Sequence, residues 1–354
     1  NPYGSNGALT VPNAAVNPLL KGGSRNEFET GLEMRFAKNR VGFDITYYER
    51  KLDELPSWVT LPGETGFAGF YSNQGKETTQ GWELTLDGDI VRSDDFSWNL
   101  MVNMSGLTRT VDYIADGVET NVLSSRWGTR IEATVGEEWG AIYGRAYARD
   151  ENGTRILDQY GRYTYEDNSY LGSVLPDFTG GILSGMKYKN WELDLGFDFQ
   201  MGGNYFGVSR MFSNYSGLSQ ETVGNNVLGN PRRNPVIAAN GINDTAISIR
   251  YDNAAPNSGG DLIEGVDADG NAVSYLMTPQ LNWAYRYRLH EEFLNDASYI
   301  KLRSLRLGYS LPAKWLDNTG ISGVNLAFIG NNLWLISSAL PSVDPSELEG
   351  NNGI

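Results

Sequence analysis

Trp191–Gly203 reads WELDLGFDFQMGG. Every second residue is apolar: Trp191, Leu193, Leu195, Phe197, Phe199 and Met201 share one face. Glu192, Asp194, Gly196, Asp198 and Gln200 share the other. A period of two marks a strand. The apolar face is uniform over about ten residues, the length of a tilted strand crossing a bilayer. The opposite face carries Glu192, Asp194 and Asp198 with no basic residue between them, so it must see water. The stretch therefore predicts a transmembrane β-strand with Trp191, Leu193, Leu195, Phe197 and Phe199 toward lipid and the three carboxylates toward a wet lumen. A long two-faced strand of a soluble β-protein shows the same alternation and stays open at this point.

The pattern recurs along the 354 residues. Leu32, Met34 and Phe36 alternate with charged residues, then Val41, Phe43, Ile45 and Tyr47 follow a polar turn at Lys38-Asn39, which reads as a hairpin. Trp82, Leu84 and Leu86 run to the turn Ser93-Asp94-Asp95, and Trp98, Leu100, Val102 and Met104 follow it. A Gly-rich strand ends at Asn190, which turns into the opening stretch. In Ser298–Leu311, Ile300 and Leu302 share one parity, and Leu305, Leu307, Tyr309 and Leu311 the other. One extra residue near Arg303-Ser304 restores the face, as a β-bulge does, and aims Lys301, Arg303 and Arg306 into the lumen. The expected strands lie near 28–37, 40–50, 79–91, 97–113, 178–189, 191–205, 298–311 and 323–337. The segments 51–78, 115–177, 206–297 and 339–354 read as long loops.

Short and long gaps alternate, as the periplasmic turns and extracellular loops of outer-membrane barrels do. Lys38-Asn39, Ser93-Asp94 and Asn190 should then be periplasmic, and Gly66, Gly153 and Gly259 extracellular. Trp98, Trp191 and Tyr188 would form the inner aromatic girdle, and Tyr47, Tyr48 and Trp82 the outer one. The fold class is all-β, a transmembrane antiparallel barrel, and Leu84 and Leu100 join the lipid-facing set.

Composition agrees. With 28 basic and 43 acidic residues the net charge is −15, which argues against nucleic acid. Cys is absent, so neither disulfides nor thiolate metal sites form. No apolar run reaches the length of a membrane helix. Mean hydropathy is −0.39, a value that lumen-facing residues dilute in barrels. Asn1–Gly7 is polar and Gly-rich, unlike a signal peptide, so the chain is expected to start after processing or to be a piece of something longer.

Chemistry-bearing motifs are sparse. No nucleophile elbow, zinc-protease or P-loop pattern occurs, so no enzyme is expected. His290, the sole histidine, sits beside Glu291 and Glu292 in a polar segment and reads as solvated. Asp267-Ala-Asp269-Gly-Asn271 has the look of a calcium loop, but its Gly comes too early and no Glu closes it, so a hairpin tip fits better. No cofactor is expected, with calcium as the one open option. Asp150-Glu-Asn152-Gly153 reads as another tip. The long loops carry Trp127, Trp139, Tyr143, Tyr215, Tyr251, Trp283 and Tyr285. Aromatic faces among amides suit sugars, peptides or a protein partner. Packing of the loops on themselves is the alternative for each.

Ser298–Pro312, SYIKLRSLRLGYSLP, preceded by Asn295-Asp296-Ala297, resembles the C-terminal motif of the SusC/RagA family of TonB-dependent outer-membrane transporters. Other pieces follow in the family's order: Asn17-Pro18-Leu19-Leu20-Lys21, Asn39-Arg40, Asn73-x-Gly75 with Gly81-Trp82-Glu83, GEEWGAIYG over Gly136–Gly144, Pro176–Gly180, Gly202-Gly203, Asn331-Asn332-Leu333 and Asp344-Pro345. The resemblance covers nearly the whole chain. It implies a barrel of about 22 strands behind an N-terminal plug, in the outer membrane of a Gram-negative bacterium of the Bacteroidetes type. It implies import of oligosaccharides or peptides, energised through TonB, with a SusD-like surface lipoprotein as lid and association of two such pairs. About eight strands are present, and the chain stops at Asn351–Ile354 without the family's terminal aromatic. It is therefore expected to be the C-terminal part of the barrel, without plug, TonB-contacting segment or final strand. Eight strands closing as a small barrel, a surface carbohydrate-binding β-rich module, and a barrel serving as scaffold in an envelope complex remain alternatives.

Overall fold

The computed structural model describes residues 12–241, 248–317, 319–339 and 343–347. Asn1–Gly7, most of the expected loop 339–354 and the terminus Asn351–Ile354 lie outside these residues.

Eight strands form one antiparallel meander: β1 (Ser24–Phe36), β2 (Val41–Thr60), β3 (Gly69–Arg92), β4 (Phe96–Tyr113), β5 (Pro176–Tyr188), β6 (Trp191–Gly202), β7 (Tyr299–Ser310) and β8 (Asn325–Ser338). Each pairs with its sequence neighbours, and β1 and β8 end the row without pairing to each other. The sheet is a curved piece of wall, and the small closed barrel is excluded. Ala14–Val16 adds a short parallel strand beside Gly69–Tyr71, where β3 extends past its pairing with β4.

The pairing aligns the faces across the whole wall. Leu195 stands between Ser184 of β5 and Leu305 of β7. Leu84 stands between Ile45 and Met104, and Leu100 between Gly88 and Ser184. Leu32, Met34, Phe36, Ile45, Leu86, Leu307, Phe328 and Trp334 are exposed on the apolar face. Ser184, a buried polar residue on that face, takes a hydrogen bond from Trp98 Nε1 at 3.0 Å, so that neither group is left unpaired. The extra residue of β7 is Arg303: Gly196 faces Ser304, Phe197 faces Leu302, and the register shifts between them.

Two readings need correction. The segment 51–78 is not a loop. β2 and β3 continue as paired strands through Thr60↔Gly69, leaving only 61–68 as the connection, with a 3-10 turn at Gly63–Thr65. Register shifts around Leu52–Pro56, with Glu54 at φ 53, break the alternation that a strand of this length should show. Tyr48 does not belong to an outer girdle. It lies on the charged face, with its ring across Gly81: a Cβ there would sit 2.3 Å from Tyr48 Cζ.

The two longest connections, 114–175 and 203–298, are folded. The first builds a four-stranded sheet from Thr120–Arg126, Thr129–Thr134, Ala141–Tyr147 and Tyr165–Ser173. The second holds a sheet of Ile249–Arg250, Ala272–Met277 and Asp261–Val266 and two helices, α1 (Val208–Tyr215) and α2 (Pro279–Arg286). Three buried apolar clusters lie here, one of them built partly on Val59 and Val111 at the ends of β2 and β4. One joins Leu157 of the first connection to Ile263, Val273, Tyr275 and Met277 of the second. Leu157 N–H donates to the Val266 carbonyl at 2.8 Å, and Val266 N–H to the Arg155 carbonyl at 3.0 Å. The two connections therefore order each other as one cap. The apolar surface needed to fix them is supplied internally.

Candidate functional site

Two surfaces carry the chemistry: the charged face of the wall and the cap above it. On the wall, β7 neutralises β6. Arg303 Nη2 lies 2.5 Å from Asp198 Oδ2, and the Tyr299 hydroxyl donates to the same oxygen at 3.3 Å. Arg306 Nη1 reaches Glu192 and Asp194, each at 3.0 Å. Lys301, 2% exposed, binds Asp344 at 2.5 Å and the Ser346 hydroxyl at 3.0 Å, so the stretch after β8 turns back onto the wall. Glu192, Asp194, Asp198 and Arg303 thus belong to the ion pairs between β6 and β7, while the fifth lumen candidate, Lys301, pairs with Asp344 instead. Each basic residue comes from β7, a strand distant in sequence, which is why β6 alone reads as unbalanced. Glu83, Thr85, Asn103, Ser105, Thr179 and Asp198 line a polar depression of about 460 Å³ beside it.

In the cap the aromatic candidates divide. Trp127 is 60% exposed and sits at φ 52 in the two-residue turn joining Arg126 to Thr129. A bulky side chain in the left-handed region is an outlier. Its ring packs edge-to-face on the exposed Phe212 of α1, centroids 4.8 Å apart, leaving an aromatic pair at the surface. Tyr215 is exposed and packs edge-to-face on Tyr287 at 5.4 Å. Tyr143 donates to Glu137 at 2.6 Å, and this carboxylate, with burial, pushes its hydroxyl up to about 12. Tyr251 starts a 3-10 turn at Tyr251–Asn253. Tyr285 lies under Arg162, whose guanidinium carbon is 4.6 Å from the ring centre. Trp139 and Trp283 serve packing: Trp139 rests on Val59, Val111, Ile114 and Ala133, and Trp283 joins Phe206, Met211 and Phe293.

His290 is not solvated. It is 3% exposed, with Nδ1 accepting the Arg145 N–H at 3.0 Å. Burial, and then the Arg145 charge, lower its pKa to about 4. The ring fastens the end of α2's segment to the four-stranded sheet, Glu291 extends that clasp to Arg149, and Glu292 takes a hydrogen bond from the Tyr147 hydroxyl while pairing with Arg286 of α2. A folded-state pKa below the ordinary 6.5 means unfolding takes up a proton in the window between the two values. Cap stability is full above pH 6.5 and falls with pH below it. The expected loss is about 2 kcal/mol by pH 5 and about 3 kcal/mol by pH 4. His290→Asn keeps an acceptor for Arg145 and should flatten the slope between pH 6.5 and 5, read by hydrogen exchange of Gly144–Tyr147. An unchanged slope would refute the assignment.

The hairpin tips are self-satisfied turns. Asp267 Oδ1 accepts the N–H groups of Asp269 and Asn271 at 3.0 and 2.9 Å, and Asp150 Oδ1 those of Asn152 and Thr154 at 3.0 and 2.7 Å. Among the described residues no group of three or more His, Asp or Glu side chains is placed to hold a metal. The candidate set lacks Phe212 and Asn214. Their signal is the amphipathic stretch VSRMFSNY, whose positions 211 and 214 are buried.

A meander that is apolar on one face and ion-paired on the other, with a folded cap on the side of its long connections, is a piece of transmembrane β-barrel wall. The chain belongs to the TonB dependent receptor-like, beta-barrel family, whose match spans residues 1–216. It is similar to the TonB-dependent receptor P26 of Formosa agariphila, 26% identical over 396 residues covering 100% of this chain and 36% of that protein. It is also similar to the TonB-dependent receptor SusC of Bacteroides thetaiotaomicron, 23% identical over 367 residues covering 99% of this chain and 32% of that protein. Among solved structures the RagAB peptide transporter superposes with a TM-score of 0.62 at 18% identity, covering 91% of this chain and 33% of that one, which is a likeness of fold. The chain therefore spans about a third of the length of the relatives it matches.

Proposed function

We propose that this wall and cap belong to an importer in a bacterial outer membrane, energised through TonB and taking up oligosaccharides or peptides. A SusD-like surface lipoprotein closes over the cap, and two such pairs associate. The observation that carries the reading is the two-faced wall under a folded cap. An apolar face running across the wall, with Leu32, Ile45, Leu86, Leu307 and Phe328 exposed on it, is stable against lipid and not against water, which disfavours the soluble carbohydrate-binding module. The ion-paired inner face suits a wet passage. The Trp127–Phe212 pair, aromatic and exposed, is the kind of surface that interface cores use.

Orientation and partner are tested together. In the full-length protein on intact cells, a maleimide should label Glu151→Cys in the cap and spare Asp94→Cys in the short turn. Labelling at position 94 alone would invert the topology. Purification from the native outer membrane should bring down a surface lipoprotein, and Trp127→Ala with Phe212→Ala should reduce its recovery several-fold. A transporter that purifies without any tightly bound lipoprotein would overturn the lid.

A further inference from the structure

The second long connection encloses a depression of about 400 Å³ to which the wall contributes nothing. It lies between the end of α1, the start of α2 and the segment around Arg233–Pro235. Two of its lining residues carry polar groups with no partner among the described residues. Asn214, 0% exposed, donates Nδ2 to Glu221 at 3.1 Å and leaves Oδ1 unpaired. Trp283, 4% exposed, leaves its indole N–H unpaired. Buried polar atoms are nearly always hydrogen-bonded, so an orphan acceptor and an orphan donor in one wall call for an explanation.

We propose that this depression is a binding site for one sugar ring, neutral or acidic. A hydroxyl both donates and accepts, so a polyhydroxylated ring satisfies Asn214 Oδ1 and Trp283 Nε1 with one chemistry. Tyr215, exposed at the rim, supplies aromatic surface for the apolar face of such a ring. Reaching the two orphan atoms takes a side-chain shift at the rim, and Tyr215, an exposed ring, stands there. Charge narrows the class. No carboxylate lines the depression although the chain carries a net −15, and Arg233 does, its guanidinium braced on the Gly217 carbonyl at 2.5 Å and the Thr222 hydroxyl at 2.8 Å. A cationic amino sugar is therefore disfavoured and a uronate accepted. The volume is at the small end of ligand sites, enough for one or two rings rather than a long chain. The site stands whether or not the barrel imports.

The test uses the full-length protein in a sugar-free detergent, with methyl galactoside, galacturonate, glucosamine and the dipeptide Gly-Gly followed by saturation-transfer NMR. Methyl galactoside or galacturonate should bind saturably, and glucosamine weakest of the sugars. Trp283→Phe removes the indole N–H, together with the pyrrole half of the ring that packs on Phe206, Met211 and Phe293. It should weaken sugar binding at least tenfold, and the thermal midpoint should fall only modestly as the buried cluster loses volume. Tyr215→Ala should weaken binding too. Absence of sugar binding at millimolar concentration, unchanged affinity in Trp283→Phe, or tighter binding of Gly-Gly or glucosamine would each overturn the proposal.

Discussion

Truncating Leu157 to alanine destabilises the cap by about 2–5 kcal/mol, the cost of a large-to-small change in a closed core, and leaves the wall assembled. Leu157 is 2% exposed and comes from the first long connection, whereas Ile263, Val273, Tyr275 and Met277 around it come from the second. The backbone seam beside it is equally tight: a Cβ on Gly265 would sit 2.3 Å from the Arg155 carbonyl oxygen and 2.9 Å from Leu157 Cγ. Gly265→Ala should therefore open the same seam by pressing on the Arg155 carbonyl and on Leu157, without deleting any apolar atom from the cluster. Hydrogen exchange on the full-length protein in micelles is the measurement. Protection should fall together in Tyr165–Ser173 and Asp261–Met277 while Trp191–Gly202 keeps its own. Loss confined to one connection would show two independent units rather than one cap.

The wall was legible because its signal is local. Alternation within Trp191–Gly203, Leu32–Phe36 and Trp82–Leu86 names both faces without knowledge of any neighbour, and the phase slip at Arg303 names its own bulge. Where alternation is interrupted, legibility ends: the shifts around Leu52–Pro56 made two paired strands read as a loop. The cap was illegible for a different reason. Leu157 and Ile263 are more than a hundred residues apart, and short strands such as Ile249–Arg250 are too brief to show a period. His290 shows the same limit. A lone histidine beside two glutamates reads as solvated, and only the fold brings Arg145 and Trp127 against it. Trp139 and Trp283 were legible as significant aromatics, but their packing role depends on partners supplied from elsewhere in the chain.

Leu195→Arg should cost about 2–4 kcal/mol in the bilayer, the depth-dependent cost of arginine near the midplane of a barrel's lipid face. Leu195 sits near the middle of β6, flanked across the sheet by Ser184 and Leu305 on the same face. An arginine there has no acid within its row, because the carboxylates of β6 occupy the opposite face. The neighbouring change Asp194→Asn is the control. Asp194 is a half-exposed partner of Arg306, which keeps Glu192 at 3.0 Å when Asp194 is lost. Its removal should cost under about 1 kcal/mol, as for other solvated ion pairs. The pair is read by urea unfolding of the full-length protein in lipid vesicles and by its yield in the outer membrane. A face that meets water instead of lipid would tolerate arginine at 195 about as well as asparagine at 194, and equal effects would remove β6 from the bilayer.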